Sequence, residues 1–201
     1  GGDSIVSIQV VSRLNQYGLT ISPQHMFQHQ TIAELAEIAA DLAPNQAESY
    51  EPVSGPTALT PIQAWFFAQD LEPLHRFAQT VTLSAEQTID GQALAAALQA
   101  ILDHHDALRM RYTMQPDGWA QYNGALGETI RLAIVDLSEH EPVAAKQALQ
   151  AERVRVVADL DIERGPLFRA ALLRTNGRAL LFLACHHLVV DAVSWRIIIE
   201  D

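Results

Sequence analysis

The chain has 201 residues, and its 24 acidic side chains against 13 Lys and Arg leave a formal net charge of −11. Hydrophobic residues are 49% and charged residues 18%, which excludes the composition of a disordered chain. The acidity argues against nucleic acid as a partner, because Lys and Arg must displace counterions from phosphates.

The length admits one large domain, or a large and a small one. Cys185, the lone cysteine, excludes an intramolecular disulfide and a Cys-rich zinc site and fits a reducing compartment. No apolar run has the 18 or so residues of a membrane span, and Gly1-Gly2-Asp3 lacks the basic start of a signal peptide. A cytoplasmic protein away from membranes is therefore expected. The chain has no initiating Met, and Trp195 to Asp201 read as the opening turns of a helix, so a piece of a longer polypeptide is expected.

In chain order, Ile5, Ile8, Val11 and Leu14 recur at helical spacing, and Gly18 is a stop signal. A second helix starts at Thr31, where Glu34 completes a capping box, and its apolar face is Ile32, Leu35, Ile38, Ala39 and Leu42. Two or three short helices over residues 1–42 make a thin core, so this region is expected to be either part of a small helical bundle or unstable alone. Residues 43–58 hold prolines and a glycine without apolar periodicity and read as a semi-extended linker.

Residues 59–201 open with Thr60-Pro61-Ile62-Gln63, a capping box with proline at the first helical position, and the aromatic helix of Trp65, Phe66 and Phe67. A strand is predicted over Ala78 to Leu83 and a helix over Gly91 to His105. Leu108 to Tyr112 alternate as a strand, Asp117-Gly118 marks a hairpin, and Ile130 to Val135 make another strand. A helix follows over Pro142 to Leu160. Phe168 to Arg174 and Ala179 to Cys185 flank Asn176-Gly177, a second hairpin signal. Strands and helices alternate, so this segment is α/β.

Three groups of residues can carry chemistry. His186 and His187 end an apolar strand buried on both faces, so their side chains point in opposite directions. One can face a cleft as a proton carrier while backbone groups fix the other, with Asp191 orienting the first or pairing with an arginine. A satisfied interior histidine pair stands equally open, and a metal site is disfavoured because neighbouring strand residues rarely share a face. Gly1-Gly2-Asp3-Ser4 precedes a helix: Asp3 or Ser4 can cap it, or Ser4 can carry a phosphodiester at a positive helix end. His104 and His105 end an amphipathic helix, where a structural role is favoured. Cys185 reads as core.

Together these segments resemble a peptidyl carrier domain followed by an epimerization domain of a nonribosomal peptide synthetase. Gly1-Gly2-Asp3-Ser4-Ile5 is similar to the phosphopantetheine attachment motif, with Asp3 in the form found upstream of epimerization domains. Phe27 to Ala36 resemble the last part of such carriers. Leu59 to Phe66 resemble the first epimerization motif, and His105-Asp106-Ala107-Leu108-Arg109 the second motif of the wider condensation superfamily. His186-His187 with Asp191, Ser194 and Trp195 resembles its active-site motif, in the Ser-Trp form of epimerization domains.

The resemblance implies a chloramphenicol-acetyltransferase-like half domain, a mixed sheet with flanking helices, behind a carrier whose first helix precedes Gly1. It implies that Ser4 accepts 4′-phosphopantetheine from a phosphopantetheinyl transferase and carries an aminoacyl or peptidyl thioester. It implies His187 as the base that removes the Cα proton, or that base's partner, and His186 as structural. Asp191 would hold the loop through an arginine, taken to be Arg109. An adenylation domain upstream and the rest of the epimerization domain downstream are implied partners, the latter with an opposing glutamate beyond Asp201. On this basis the isolated chain is expected not to epimerize. Ala192 departs from the family, which usually has Gly there, and so bears on activity. A condensation domain, an inert carrier or docking fragment, and an acetyltransferase-like enzyme acting on a free small molecule are the alternatives.

Overall fold

In a computed structural model, the structure describes residues 4–41, 51–69, 71, 73–175 and 177–201. The chain divides into two compact units, Gly1–Glu51 and Pro52–Asp201.

Among its described residues the first unit has three helices: α1 (Ser4–Gln16), α2 (Pro23–Gln28) and α3 (Ile32–Asp41). Gly18 adopts a φ of 79° just past α1, and Leu19 N–H reaches back to the Leu14 carbonyl at 2.9 Å. This is how glycine ends a helix without a Cβ penalty. The capping box at Thr31 forms: Glu34 N–H donates to Thr31 Oγ1 at 3.3 Å and Thr31 N–H to Glu34 Oε2 at 3.1 Å. The helix α2 has a similar box in which His25 replaces the usual Glu, its Nδ1 accepting Ser22 N–H at 3.2 Å. Val11 and Ile21 are buried, whereas Ile32, placed by its spacing on the apolar face of α3, is 87% exposed. The core is thin, as expected. Gly1 to Asp3, Leu42 and linker positions 43–50 lie outside the described residues.

The second unit begins with a correction. Gly55–Thr57, read as the end of a linker, are a strand, β1. Pro56 is tolerated because β1 is at a sheet edge, where proline leaves no ladder donor missing. The elements that follow are α4 (Pro61–Phe67), β2 (Ala78–Ala85), α5 (Gly91–His104), β3 (Met110–Gln115) and β4 (Gly118–Asn123). Then come β5 (Leu132–Asp136), α6 (Pro142–Ala158), β6 (Phe168–Thr175), β7 (Arg178–His186) and α7 (Ala192–Glu200). Leu108 and Arg109, expected to begin a strand, belong instead to a 3-10 turn, and strand alternation starts at Met110.

One small antiparallel sheet has the order β1-β4-β3; the larger is mixed, in the order β2-β7-β6-β5. In the larger sheet β5 runs parallel to β6, joined through α6, while β6-β7 and β7-β2 are antiparallel. Both predicted hairpins form. Thr175 pairs with Arg178 around Gly177 (φ 76°), with Asn176 outside the described residues, and Gln115 pairs with Gly118.

The larger sheet is covered on both faces, which explains the unbroken apolar run of β7. Leu98 and Leu102 of α5 with Trp195 and Ile198 of α7 pack on Phe168, Ala170, Leu183 and Cys185. On the other face Val156 of α6 and the following Leu160 meet Ala171, Leu173, Phe182 and Ala184. A third cluster joins Phe66 and Phe67 to Tyr112, Ile162 and Leu167, so the aromatic helix is largely core, although Trp65 is 58% exposed. Burial raises the Cys185 thiol above its ordinary value, which agrees with an inert core cysteine.

Candidate functional site

The two histidines at the end of β7 separate as strand geometry requires. His186 is fully buried. Its Nε2 donates to the Leu74 carbonyl at 2.8 Å, and its Nδ1 accepts Leu188 N–H at 3.2 Å. The edge of the ring meets Phe66 at 6.1 Å between centroids. Burial outweighs these contacts and pushes its pKa down to about 4, so His186 is neutral at physiological pH.

His187 is exposed. Its backbone N–H continues the β2–β7 pairing by donating to the Phe77 carbonyl at 2.8 Å. Its ring stacks on Phe77, with centroids 5.1 Å apart and planes 16° from parallel. Nδ1 lies 2.8 Å from the Val190 carbonyl, and Nε2 lies 3.0 Å from Gln79 Nε2. A carbonyl only accepts, so Nδ1 carries the ring proton in the neutral form and Nε2 keeps its lone pair. Such an imidazole can accept a proton at Nε2.

Asp191 takes neither of the two partners expected for it. It is the N-cap of α7, accepting Val193 N–H at 3.0 Å, Ser194 N–H at 2.8 Å and Ser194 Oγ–H at 2.7 Å. The Ser194 backbone and hydroxyl contacts hold its carboxyl below the usual range. The loop is therefore closed by a helix cap, and the Val190 carbonyl orients His187. Ala192 is the first residue of α7 and exposed, a position where an alanine fits helical backbone.

Arg109 is a correction too. It is completely buried, and its guanidinium closes the end of α5 by donating to the Leu102 and Asp103 carbonyls at 2.9 and 2.7 Å. It also donates to the Gly124 carbonyl at 3.2 Å and pairs with Asp106. A helix C-terminus with unpaired carbonyls just before the turn engages this arginine locally: four of its five N–H donors go to these partners, and among the described residues none goes to Asp191.

Sequence reasoning found the capping role of Gln63 but missed its reach to Tyr112 and Leu188, and it missed Gln79. Gln63 closes the capping box of α4, with Thr60 N–H donating to its Oε1 at 2.8 Å. Its amide nitrogen donates to Tyr112 Oη at 2.8 Å and to the Leu188 carbonyl at 3.2 Å. One side chain thus ties the aromatic helix to the backbone just after the histidine pair. Gln79 had a visible signal: on the face of β2 that carries Val81 and Leu83 toward the core, it is a polar residue at an apolar position.

Beyond these, His104, His105 and Asp201 bring ligand-type atoms within 4.8 Å of one another. His105 Nε2 and Asp201 Oδ2 are already bonded at 2.8 Å. Among the described residues, no helix is long and apolar enough to cross a membrane.

Residues 53–201 match the family model described as Condensation domain, and residues 1–39 match that described as Phosphopantetheine attachment site. Over 203 residues the chain is 41% identical to tyrocidine synthase 2 of Brevibacillus parabrevis, all of this chain and 6% of that protein. Over 204 residues it is 41% identical to surfactin synthase subunit 2 of Bacillus subtilis (strain 168), all of this chain and 6% of that protein. The chain therefore spans a small fraction of these relatives.

Among solved structures, the epimerization domain from the third module of tyrocidine synthetase B superposes with a TM-score of 0.70 at 40% identity, over 74% of this chain and 34% of that one. The starter condensation domain of rhizomide synthetase superposes with a TM-score of 0.62 at 24% identity, over 72% of this chain and 36% of that one, a likeness of fold.

The prosthetic group of a phosphopantetheine attachment segment is 4′-phosphopantetheine. The first unit suits it. The helix α1 runs 13 residues from Ser4, and its first turn has no acidic residue to oppose a phosphodiester at the positive end.

Proposed function

The chain belongs to the condensation-domain family of nonribosomal peptide synthetases, behind a phosphopantetheine attachment segment, and on that premise we propose that it epimerizes a carrier-bound aminoacyl or peptidyl group at Cα. Ser4 is the attachment residue, modified by a phosphopantetheinyl transferase, and Asp3, outside the described residues, precedes it in the attachment motif. When bound, the arm supplies a flexible tether and a thioester that acidifies the Cα proton. His187, held in place by the Val190 carbonyl and the Phe77 ring, accepts that proton at Nε2, whose lone pair exchanges the Gln79 amide N–H for it. Asp191 caps α7 and fixes the turn that carries Val190, and His186 stays neutral and structural.

The observation that carries this reading is the exposed His187 ring, whose Nδ1 is committed to a backbone carbonyl so that Nε2 is the basic atom. Two features favour epimerization over condensation: the Ser194-Trp195 pair, and 40% identity to an epimerization domain beside 24% to a starter condensation domain. Inversion takes a proton from one face and returns one to the other. A second acid/base, a glutamate encoded beyond Asp201, opposes His187, and adenylation and downstream domains of the same synthetase supply the substrate and complete the site.

The alternative is peptide-bond formation, in which the same Nε2 would take a proton from an attacking amine. The match of residues 53–201 to the Condensation domain model favours it. The experiment is solvent-deuterium incorporation at Cα of an aminoacyl group loaded on the synthetase that contains this chain. Exchange that disappears in His187→Ala is expected. A loaded wild-type synthetase that shows no exchange at Cα would overturn epimerization.

A further inference from the structure

We infer that Gln79, locked by Trp195, is a positioning residue that reinforces the Nδ1–H tautomer of His187 from the Nε2 side of the ring. The inference rests on the reading of His187 as the base. Four groups form a line in which each donates to the next. Trp195 Nε1–H donates to Gln79 Oε1 at 3.1 Å, Gln79 Nε2–H to His187 Nε2 at 3.0 Å, and His187 Nδ1–H to the Val190 carbonyl at 2.8 Å.

Both ends of this line run one way. An indole N–H can only donate, and a carbonyl can only accept. The amide of Gln79 is thereby turned with its oxygen to Trp195 and its nitrogen to His187. A donor facing Nε2 requires a lone pair there, which is the same tautomer that Val190 selects from the other side of the ring. The anchor is firm, because Trp195 is 6% exposed in the core between α7 and the larger sheet.

The arrangement follows from strand register. Gln79 pairs with Cys185 across β2 and β7, so Phe77, Gln79, Cys185 and His187 share one face of the sheet. The helix α7, started by the Asp191 cap, lays Trp195 over that face one turn later. The cap, the tryptophan and the histidine therefore act as one unit.

Protonating His187 would set an N–H at Nε2 against the Gln79 N–H. To relieve this the amide must turn over and abandon Trp195. The titratable groups acting on the ring are Asp191, the N-cap of α7, and His186 of β7, and the buried Cys185 of β7 lies two residues before the ring on the same sheet face. Phe77, just before β2, and Gln79 of β2 are neutral, as are Ser194 and Trp195 of α7.

The test is the pH profile of Cα deuterium exchange in the synthetase containing this chain, for the wild type, Gln79→Glu, Trp195→Phe and His187→Ala. Gln79→Glu keeps the shape, is only partly buried, and places an acceptor against Nε2. The acid limb of its profile is expected to move up by about one pH unit, as a carboxylate beside a histidine does, with about a tenfold loss of exchange on that limb. Trp195→Phe frees the amide to turn and is expected to move the limb the same way by less. If His187→Ala abolishes exchange while the limb stays in place in Gln79→Glu, Gln79 has no such role and the inference falls. If exchange survives in His187→Ala, the reading of His187 as base falls instead.

Discussion

Replacing His186 with glutamine removes a titrating group from the interior of the second unit and changes how stability depends on acid. An unfolded histidine titrates near 6.5, whereas burial holds His186 at about 4. Below 6.5 the unfolded chain takes up a proton that the folded chain refuses, so stability declines as the pH drops toward 4. A gap of roughly 2.5 pH units at about 1.4 kcal/mol each gives about 3 kcal/mol in total, of which about 2 kcal/mol is lost by pH 5. In His186→Gln the side-chain amide can still donate to the Leu74 carbonyl, but the Leu188 N–H loses its acceptor. That loss costs about 1–2 kcal/mol at every pH and leaves the slope flat. Urea unfolding followed by tryptophan fluorescence measures this in the right place, because Trp65, Trp119 and Trp195 all lie in the second unit. The wild type should lose about 2 kcal/mol more than His186→Gln between pH 7.5 and pH 5. Parallel profiles for the two proteins would refute a neutral, buried His186.

Two further substitutions test the packing around the site. Gln63→Leu strands Tyr112 Oη, the Leu188 carbonyl and Thr60 N–H, and should destabilise the second unit by about 2–3 kcal/mol in urea unfolding. A change within experimental error would show that Gln63 does not tie α4 to the loop. Asp191→Ala removes the N-cap of α7 and should cost about 1 kcal/mol, while Asp191→Asn, whose amide oxygen still accepts, should restore most of it. If Asn proves as harmful as Ala, the carboxylate is acting as a charge and the cap account fails.

Local chemistry was the legible part of this molecule. Capping boxes at Thr31 and Thr60, the glycine stop at Gly18 and the Gly177 hairpin depend on residues within a few positions of one another, and each appears in the structure. The apolar run of β7 likewise announced a strand covered on both faces. The alternation of strands with helices placed the fold in the α/β class. The strand β1 was hidden because its only partner, β4, lies more than sixty residues away, and a Gly-Pro-Thr edge strand has the composition of a linker. Arg109 was misassigned for a related reason: its partners are main-chain carbonyls at the end of α5, which side-chain matching does not reveal. At the site itself, the opposed histidines follow from strand geometry alone. What orients His187 is a carbonyl, a stacked phenylalanine and a glutamine brought from β2 by register; only the glutamine left a trace in the sequence, as a polar residue at an apolar strand position, and nothing local tied it to the histidine.

The central claim is that His187 removes a Cα proton from a carrier-bound group so that its configuration is inverted. The configuration of that residue, released from the synthetase after loading with the pure L-amino acid, tests this most directly. The account predicts a mixture containing the D-isomer from the wild type and only the L-isomer from His187→Ala. A peptide bond formed with complete retention of L configuration in the wild type would contradict it.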